Sequence, residues 1–115
     1  MSVWNIIVFI FTCIASYLLG GVSIARFITK RESSGGINKQ GSGNPGTMNM
    51  LRTHGLGFGL FTLLCDALKG AIPALFGLMY FGELYGTTVG YISLYLFGFF
   101  GVVGHIFPIY YISFP

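Results

Sequence analysis

The chain has 115 residues, of which 54% are hydrophobic and only 8% are charged, and its mean hydropathy is +0.78. Soluble domains carry about 25% charged residues, so this composition excludes an ordinary water-facing domain and predicts an all-α integral membrane protein. The net charge of +3 is concentrated in one stretch, which favours roles in membrane topology and anion binding over nucleic-acid binding.

The first predicted membrane span covers residues 3–25. This stretch contains no charged residue and is long enough to cross a bilayer. Trp4 suits the outer interface and Arg26 the inner one. No basic segment precedes the apolar run, which argues against a signal peptide.

A polar, basic and glycine-rich loop follows at residues 26–54. It contains five of the six cations of the chain: Arg26, Lys30, Arg31, Lys39 and Arg52. Glu32 is its only acidic residue. The positive-inside rule therefore predicts that this loop is cytoplasmic and that the N-terminus lies outside.

Two more spans are predicted, at residues 55–81 and 87–107, separated by a short outer turn around Glu83. The second span must include Asp66, because residues 67–81 alone are too short to cross a bilayer. No basic segment follows the third span. We therefore expect a single membrane domain over residues 1–115, of about three transmembrane helices, that is a truncated part of a larger helical bundle.

The two cysteines, Cys13 and Cys65, lie in apolar runs and are predicted to be reduced thiols that pack as small hydrophobic side chains. Their spacing fits neither a disulfide framework nor a metal site. We expect no metal and no organic cofactor.

The segment most informative about chemistry is residues 41–52, Gly-Ser-Gly-Asn-Pro-Gly-Thr-Met-Asn-Met-Leu-Arg. Pro45 is predicted to be the first residue of a helix, with Asn44 as its cap. The glycines before it leave backbone amides unblocked by side chains. A helix N-terminus preceded by such a loop is a natural anion site.

Side chains in the same segment suit a phosphorylated ligand. Asn49 and Arg52 are three residues apart and are predicted to share a helical face. Arg52 can bind a phosphate through two parallel hydrogen bonds, and Ser42 can add a hydroxyl. The candidate phosphate-binding residues are Ser42, Gly43, Asn44, Gly46, Asn49 and Arg52. The segment lacks the Gly-Lys-Ser/Thr ending of a P-loop, so a flexible loop without a ligand remains an alternative.

Ionisable residues in or near the spans have two readings each. Asp66 and Lys69 are three residues apart on one helical face, so they can pair with each other or support a substrate. His105 is either a hydrogen-bonded structural residue or a group near the site. His54 borders the loop and is predicted to be solvated.

Residues 41–52 resemble the first motif of the membrane acyl-phosphate glycerol-3-phosphate acyltransferases, the PlsY family, which reads roughly Gly-Ser-Gly-Asn-x-Gly-Ala-Thr-Asn-x-x-Arg. Residues 17–20, 66–73 and 104–108 resemble three further segments of that family, in the same order. There are departures. Thr47 and Met48 stand where the family has Ala and Thr, and residues 109–115 differ from the family's Phe-Lys-Gly-Gly-Lys-Gly segment.

The resemblance implies an enzyme that moves a fatty acyl group from acyl phosphate to the 1-hydroxyl of glycerol 3-phosphate, giving lysophosphatidic acid for phospholipid synthesis. It implies a multi-pass protein of the bacterial inner membrane, with membrane lipid and an acyl-phosphate-producing enzyme as partners. No catalytic residue is assigned. The resemblance covers roughly an N-terminal half, so we expect this stretch alone to lack activity. Alternatives are a non-catalytic membrane subunit or anion-binding module, and a small oligomeric transporter.

Overall fold

The computed structural model describes residues 1–33 and 35–110. Within these residues the fold is all-helical, without strands. The elements in chain order are α1 (Val3–Gly20), α2 (Ile24–Thr29), a 3-10 helix (Ile37–Lys39), α3 (Thr47–His54), α4 (Leu56–Tyr85) and α5 (Thr87–Ile106). The C-terminal residues 111–115, which carry one of the departures from the family pattern, lie outside the described residues.

Three of these helices, α1, α4 and α5, are long and apolar enough to cross a membrane. About half of their residues are exposed, as expected of helices that face lipid. Large apolar side chains such as Val3, Phe11 and Met79 are more than two-thirds exposed. The prediction of an all-α integral membrane fold with three spanning helices is confirmed.

The first helix ends at Gly20, five residues earlier than the expected 3–25 span. The chain tightens after it, because the Val22 amide donates to the Leu19 carbonyl at 3.1 Å. Ser23 then caps α2, and its hydroxyl accepts a hydrogen bond from the Arg26 amide at 3.2 Å. The apolar residues up to position 25 thus belong to two helices instead of one.

The connection between the second and third spans is also shorter than expected. Helix α4 continues through Tyr85, so Glu83 lies in its last turn and not in a loop. Gly86 alone separates α4 from α5, with φ of +97°. That backbone conformation favours glycine, which explains how a single residue can make the turn.

The chain divides into two compact units, residues 1–22 with 68–115 and residues 23–67. In the first unit, glycines allow α1 and α5 to approach closely. A Cβ added at Gly20 would overlap the Gly101 carbonyl, and one at Gly104 would overlap the Tyr17 carbonyl. Small residues at such contacts are typical of packed transmembrane helices.

Aromatic and polar side chains complete the packing of this first unit. The Phe9 ring lies 5.3 Å from that of Phe81 and 5.0 Å from that of Phe97. Near the start of α1, the Asn5 amide donates to the Tyr85 hydroxyl and accepts from the Tyr80 hydroxyl, both at 2.6 Å. The polar amide of Asn5 is therefore satisfied within an otherwise apolar helix.

The second unit has a small core of its own, formed by Ala25, Ile37 and Met50, which are fully buried. The Thr29 hydroxyl strengthens it from the side: it accepts from the Ile37 amide at 2.7 Å and donates to the Ala25 carbonyl at 2.8 Å. These contacts bring α2, the 3-10 helix and α3 together.

Candidate functional site

The segment that joins the 3-10 helix to α3, residues 40–46, forms an ordered turn that we call the glycine loop. Gly41 and Gly43 have φ of +52° and +79°, which favours glycine at both positions. The Gly43 amide closes the turn by donating to the Gln40 carbonyl at 2.8 Å. A Cβ at Gly41 would overlap the Asn49 side chain, so this position also requires glycine for space.

Asn49 holds the glycine loop from within. Its Oδ1 accepts from the Ser42 amide at 3.1 Å, and its Nδ2 donates to the carbonyls of Gln40 at 3.0 Å and Asn44 at 2.8 Å. The side chain is only 3% exposed. Sequence analysis placed it on a common face with Arg52, but Asn49 is buried and Arg52 is exposed. The Asn49 side chain is thus engaged by the loop.

Helix α3 begins at Thr47, with Gly46 as the N-cap. The prediction of Pro45 as first helical residue and Asn44 as cap was wrong. The Asn44 carbonyl is already held by Asn49 and its amide donates to the Ser42 hydroxyl at 3.4 Å, so this residue belongs to the loop. Within the described residues no side chain caps α3. Its first-turn amides therefore remain available to an anion, as the helix dipole favours.

The remaining candidates lie on the exposed side of this segment. The Ser42 hydroxyl accepts the Asn44 amide and keeps its own proton as a donor. The Gly43 carbonyl accepts from the Asn38 side chain at 3.4 Å, which in turn accepts from Arg26 Nε at 2.8 Å. Asn38 was not among the predicted site residues. It connects α2 to the glycine loop.

Arg52 lies in the last turn of α3 and is exposed. In the part of the chain that the structure describes, its guanidinium makes no hydrogen bond or ion pair. It lies five positions after Thr47, a rise of about 7.5 Å along the helix. A long arginine side chain can cover such a distance toward a ligand bound at the N-terminus of α3.

Behind the glycine loop lies a cluster around Glu32. The Glu32 carboxylate accepts from Gln40 Nε2 at 2.7 Å, and both of its oxygens lie 2.9 Å from His54 Nε2. The Gln40 hydrogen bond, followed by that to His54, holds the pKa of Glu32 below its ordinary value. The prediction that His54 is solvated was wrong. Its side chain is only 15% exposed, and its Nδ1 lies 2.7 Å from the Thr53 hydroxyl.

A second polar group lies in the first unit. The Lys69 ammonium donates to the Val22 carbonyl at 2.7 Å and lies 3.2 Å from His105 Nδ1. These contacts agree with the interpretation of His105 as a hydrogen-bonded structural residue, which stays a prediction. Asp66 lies in the other unit, and its pairing with Lys69 stays a prediction.

Between α1 and α5 lies an apolar groove of about 650 Å³. Its lining residues are Phe9, Ile10, Cys13, Ile14, Tyr17, Leu96, Phe100 and Val103. Because all of these belong to spanning helices, the groove lies at membrane depth. Its size is that of pockets that bind small apolar molecules.

Comparison with known proteins gives a consistent result. The sequence profile of the family described as glycerol-3-phosphate acyltransferase matches residues 10–113. Similar relatives are glycerol-3-phosphate acyltransferase 1 of Bacillus cereus, 38% identical over 84% of this chain, and the glycerol-3-phosphate acyltransferases of Cupriavidus metallidurans, 40% over 84%, and Streptococcus agalactiae, 37% over 92%. The chain covers 49%, 46% and 45% of these relatives, respectively.

A solved structure is similar too. The crystal structure of PlsY, an integral membrane glycerol 3-phosphate acyltransferase in its glycerol 3-phosphate form, matches with a TM-score of 0.74 and 31% identity. The match covers 90% of this chain and 48% of that one. The chain therefore spans about half the length of the relatives it matches.

Proposed function

Because the chain belongs to the glycerol-3-phosphate acyltransferase family, we propose that it binds glycerol 3-phosphate and acts in the transfer of a fatty acyl group from acyl phosphate to the 1-hydroxyl of that substrate. The product is lysophosphatidic acid, an intermediate of phospholipid synthesis. The observation that carries the proposal is the N-terminus of α3, which follows an ordered glycine loop and has no side-chain cap within the described residues.

Three kinds of donor support binding of a phosphate there. The first-turn amides of α3 supply a partial positive charge, the Ser42 hydroxyl supplies a neutral donor, and Arg52 supplies a full charge. Asn49 contributes indirectly, because it holds the loop that precedes the helix. Gly46 leaves the approach to the first turn of α3 unobstructed, whereas the Gly43 amide closes the loop by donating to the Gln40 carbonyl.

The proposed reaction needs placement and charge neutralisation. The 1-hydroxyl oxygen attacks the carbonyl carbon of acyl phosphate, the bond from that carbon to the phosphate oxygen breaks, and phosphate leaves with the electron pair and the hydroxyl proton. Both substrates are anionic and repel each other. Donors such as Arg52 offset that repulsion and orient the hydroxyl.

The three spanning helices establish a multi-pass membrane protein. We propose that it lies in a bacterial inner membrane, with the glycine loop cytoplasmic and the N-terminus outside, because the cations are concentrated on one side of α1. The apolar groove between α1 and α5 suits the fatty chain of the donor. An enzyme that produces acyl phosphate is the partner implied by this chemistry.

Binding and turnover test the proposal separately. The purified chain in lipid nanodiscs is titrated with glycerol 3-phosphate by calorimetry, and acyl phosphate is then added to follow lysophosphatidic acid. We expect binding that Arg52→Ala weakens and that Arg31→Ala, a matched loss of an exposed cation, leaves unchanged. Product that disappears in Arg52→Ala supports the full reaction, binding without product is the result expected of this stretch alone, and absence of binding refutes the proposed site.

A further inference from the structure

The Glu32 side chain contacts one residue at the start of the glycine loop and another at the end of α3. One of its hydrogen bonds goes to the side chain of Gln40, the first residue of the loop, at 2.7 Å. The other contact goes to His54, the last residue of α3, at 2.9 Å. The loop and the whole of α3 thus lie between the two groups that this one carboxylate holds.

The contact between Glu32 and Gln40 affects the loop through the backbone carbonyl of Gln40. Its backbone carbonyl accepts two of the hydrogen bonds that shape the loop, from the Gly43 amide at 2.8 Å and from Asn49 Nδ2 at 3.0 Å. Fixing the Gln40 side chain therefore fixes an acceptor on which both the turn and Asn49 depend. Loss of the Glu32 contact removes one of the contacts that hold this residue in place.

The contact between Glu32 and His54 holds the end of α3. Its Nδ1 lies 2.7 Å from the Thr53 hydroxyl and its Nε2 lies between the two oxygens of Glu32. With a proton on Nε2, the imidazole donates to the carboxylate. The end of α3 is thereby held against the segment that carries Glu32.

We propose that Glu32 is a positioning residue for the glycine loop. By contacting both Gln40 and His54, an arrangement that we call the Glu32 clasp, it keeps the loop and the N-terminus of α3 in the arrangement that receives the phosphate of glycerol 3-phosphate. The proposal rests on the proposed function for the identity of the ligand. Glu32 touches no substrate in this scheme. It acts through Gln40 and through α3.

Hydrogen exchange and ligand binding together test the clasp. The variant is Glu32→Gln, which keeps the size of the side chain and removes its charge. Glu83→Gln, the same change at an exposed position in the last turn of α4, is the control. We expect the Ser42 and Gly43 amides to exchange about two- to fivefold faster in Glu32→Gln, the range of an exposed ion pair. We expect glycerol 3-phosphate affinity to fall by up to the same factor.

Each outcome decides a different point. Faster loop exchange with weaker binding, partly restored in Glu32→Asp, supports the proposal. Loop exchange equal to that of the unaltered chain overturns it, as does faster exchange with unchanged affinity. Faster exchange in a chain that binds no glycerol 3-phosphate at all refutes the phosphate site and leaves the clasp standing. If Glu32→Gln does not fold, His54→Gln removes the imidazole contact, leaves the contact between Glu32 and Gln40 in place, and must show the same direction of change.

Discussion

The Asn49 side chain offers the most direct test of how the glycine loop is held. Truncation by Asn49→Ala removes one acceptor and one amide donor group that together bond the Ser42 amide and the carbonyls of Gln40 and Asn44. Each such bond contributes about 1 kcal/mol net, so we expect the free energy of local opening of the loop to fall by about 2–4 kcal/mol. The residue is almost fully buried, so water cannot simply take over its contacts.

Hydrogen exchange of the Ser42 amide measures this opening directly. Asn49→Asp is the sharper variant. It keeps the acceptor for the Ser42 amide, but it replaces the donor with a second acceptor that faces two carbonyls. It should therefore be at least as damaging as Asn49→Ala. Asn44→Ala, a change at an exposed side chain of the same loop, is the control. An opening free energy for Asn49→Ala within about 0.5 kcal/mol of the unaltered chain would refute the role given to Asn49.

Other expectations follow from features of both units. Gly104→Ala should destabilise the contact of α5 with α1 by about 1–3 kcal/mol in thermal unfolding, because its Cβ would overlap a backbone carbonyl. Gly98→Ala, at a position with open space around it, should leave the stability unchanged. Equal effects of the two variants would contradict the packing. Arg52→Lys should weaken glycerol 3-phosphate binding by about 1.5–3 kcal/mol in calorimetry, since lysine cannot donate two parallel hydrogen bonds; unchanged affinity would remove Arg52 from the site. The contribution of Glu32 to loop order should be complete above the ordinary pKa of Glu32, about 4.5, and should be lost as pH falls through its lowered pKa. The loss is measured as hydrogen exchange of the loop beyond the intrinsic effect of pH, and it should be absent in Glu32→Gln. A single cysteine at Glu83 should react with an impermeant thiol reagent in intact cells, and protection there would reverse the orientation.

The spanning helices were predictable because so few charges interrupt the apolar stretches. The boundaries of the third helix agree with expectation to within one residue. The end of α1 was missed, since the residues after Gly20 are as apolar as those before it. Ser23 is a capping residue that could have indicated the start of α2.

The candidate site was chosen from the sequence and stays a prediction, and its internal structure was not predictable. The sequence pattern predicted Asn44 as a helix cap, whereas in the structure its carbonyl accepts a hydrogen bond from the Asn49 side chain. The clasp of Glu32 joins residues eight and 22 positions away. Such contacts depend on how α2, the 3-10 helix and α3 pack around Ile37, which local propensity does not specify.

The unequal lengths of the spanning helices have a consequence for the bilayer. Helix α1, with 18 residues, is about 27 Å long and nearly matches a hydrocarbon layer of about 30 Å. Helix α4, with 30 residues, is about 45 Å long. To fit entirely, it would have to tilt by more than the roughly 40° that transmembrane helices reach, so part of α4 must emerge into the headgroup region. A thicker membrane can take in further turns of α4, whereas α1 ends at Gly20 and has no further helical turns that could enter it.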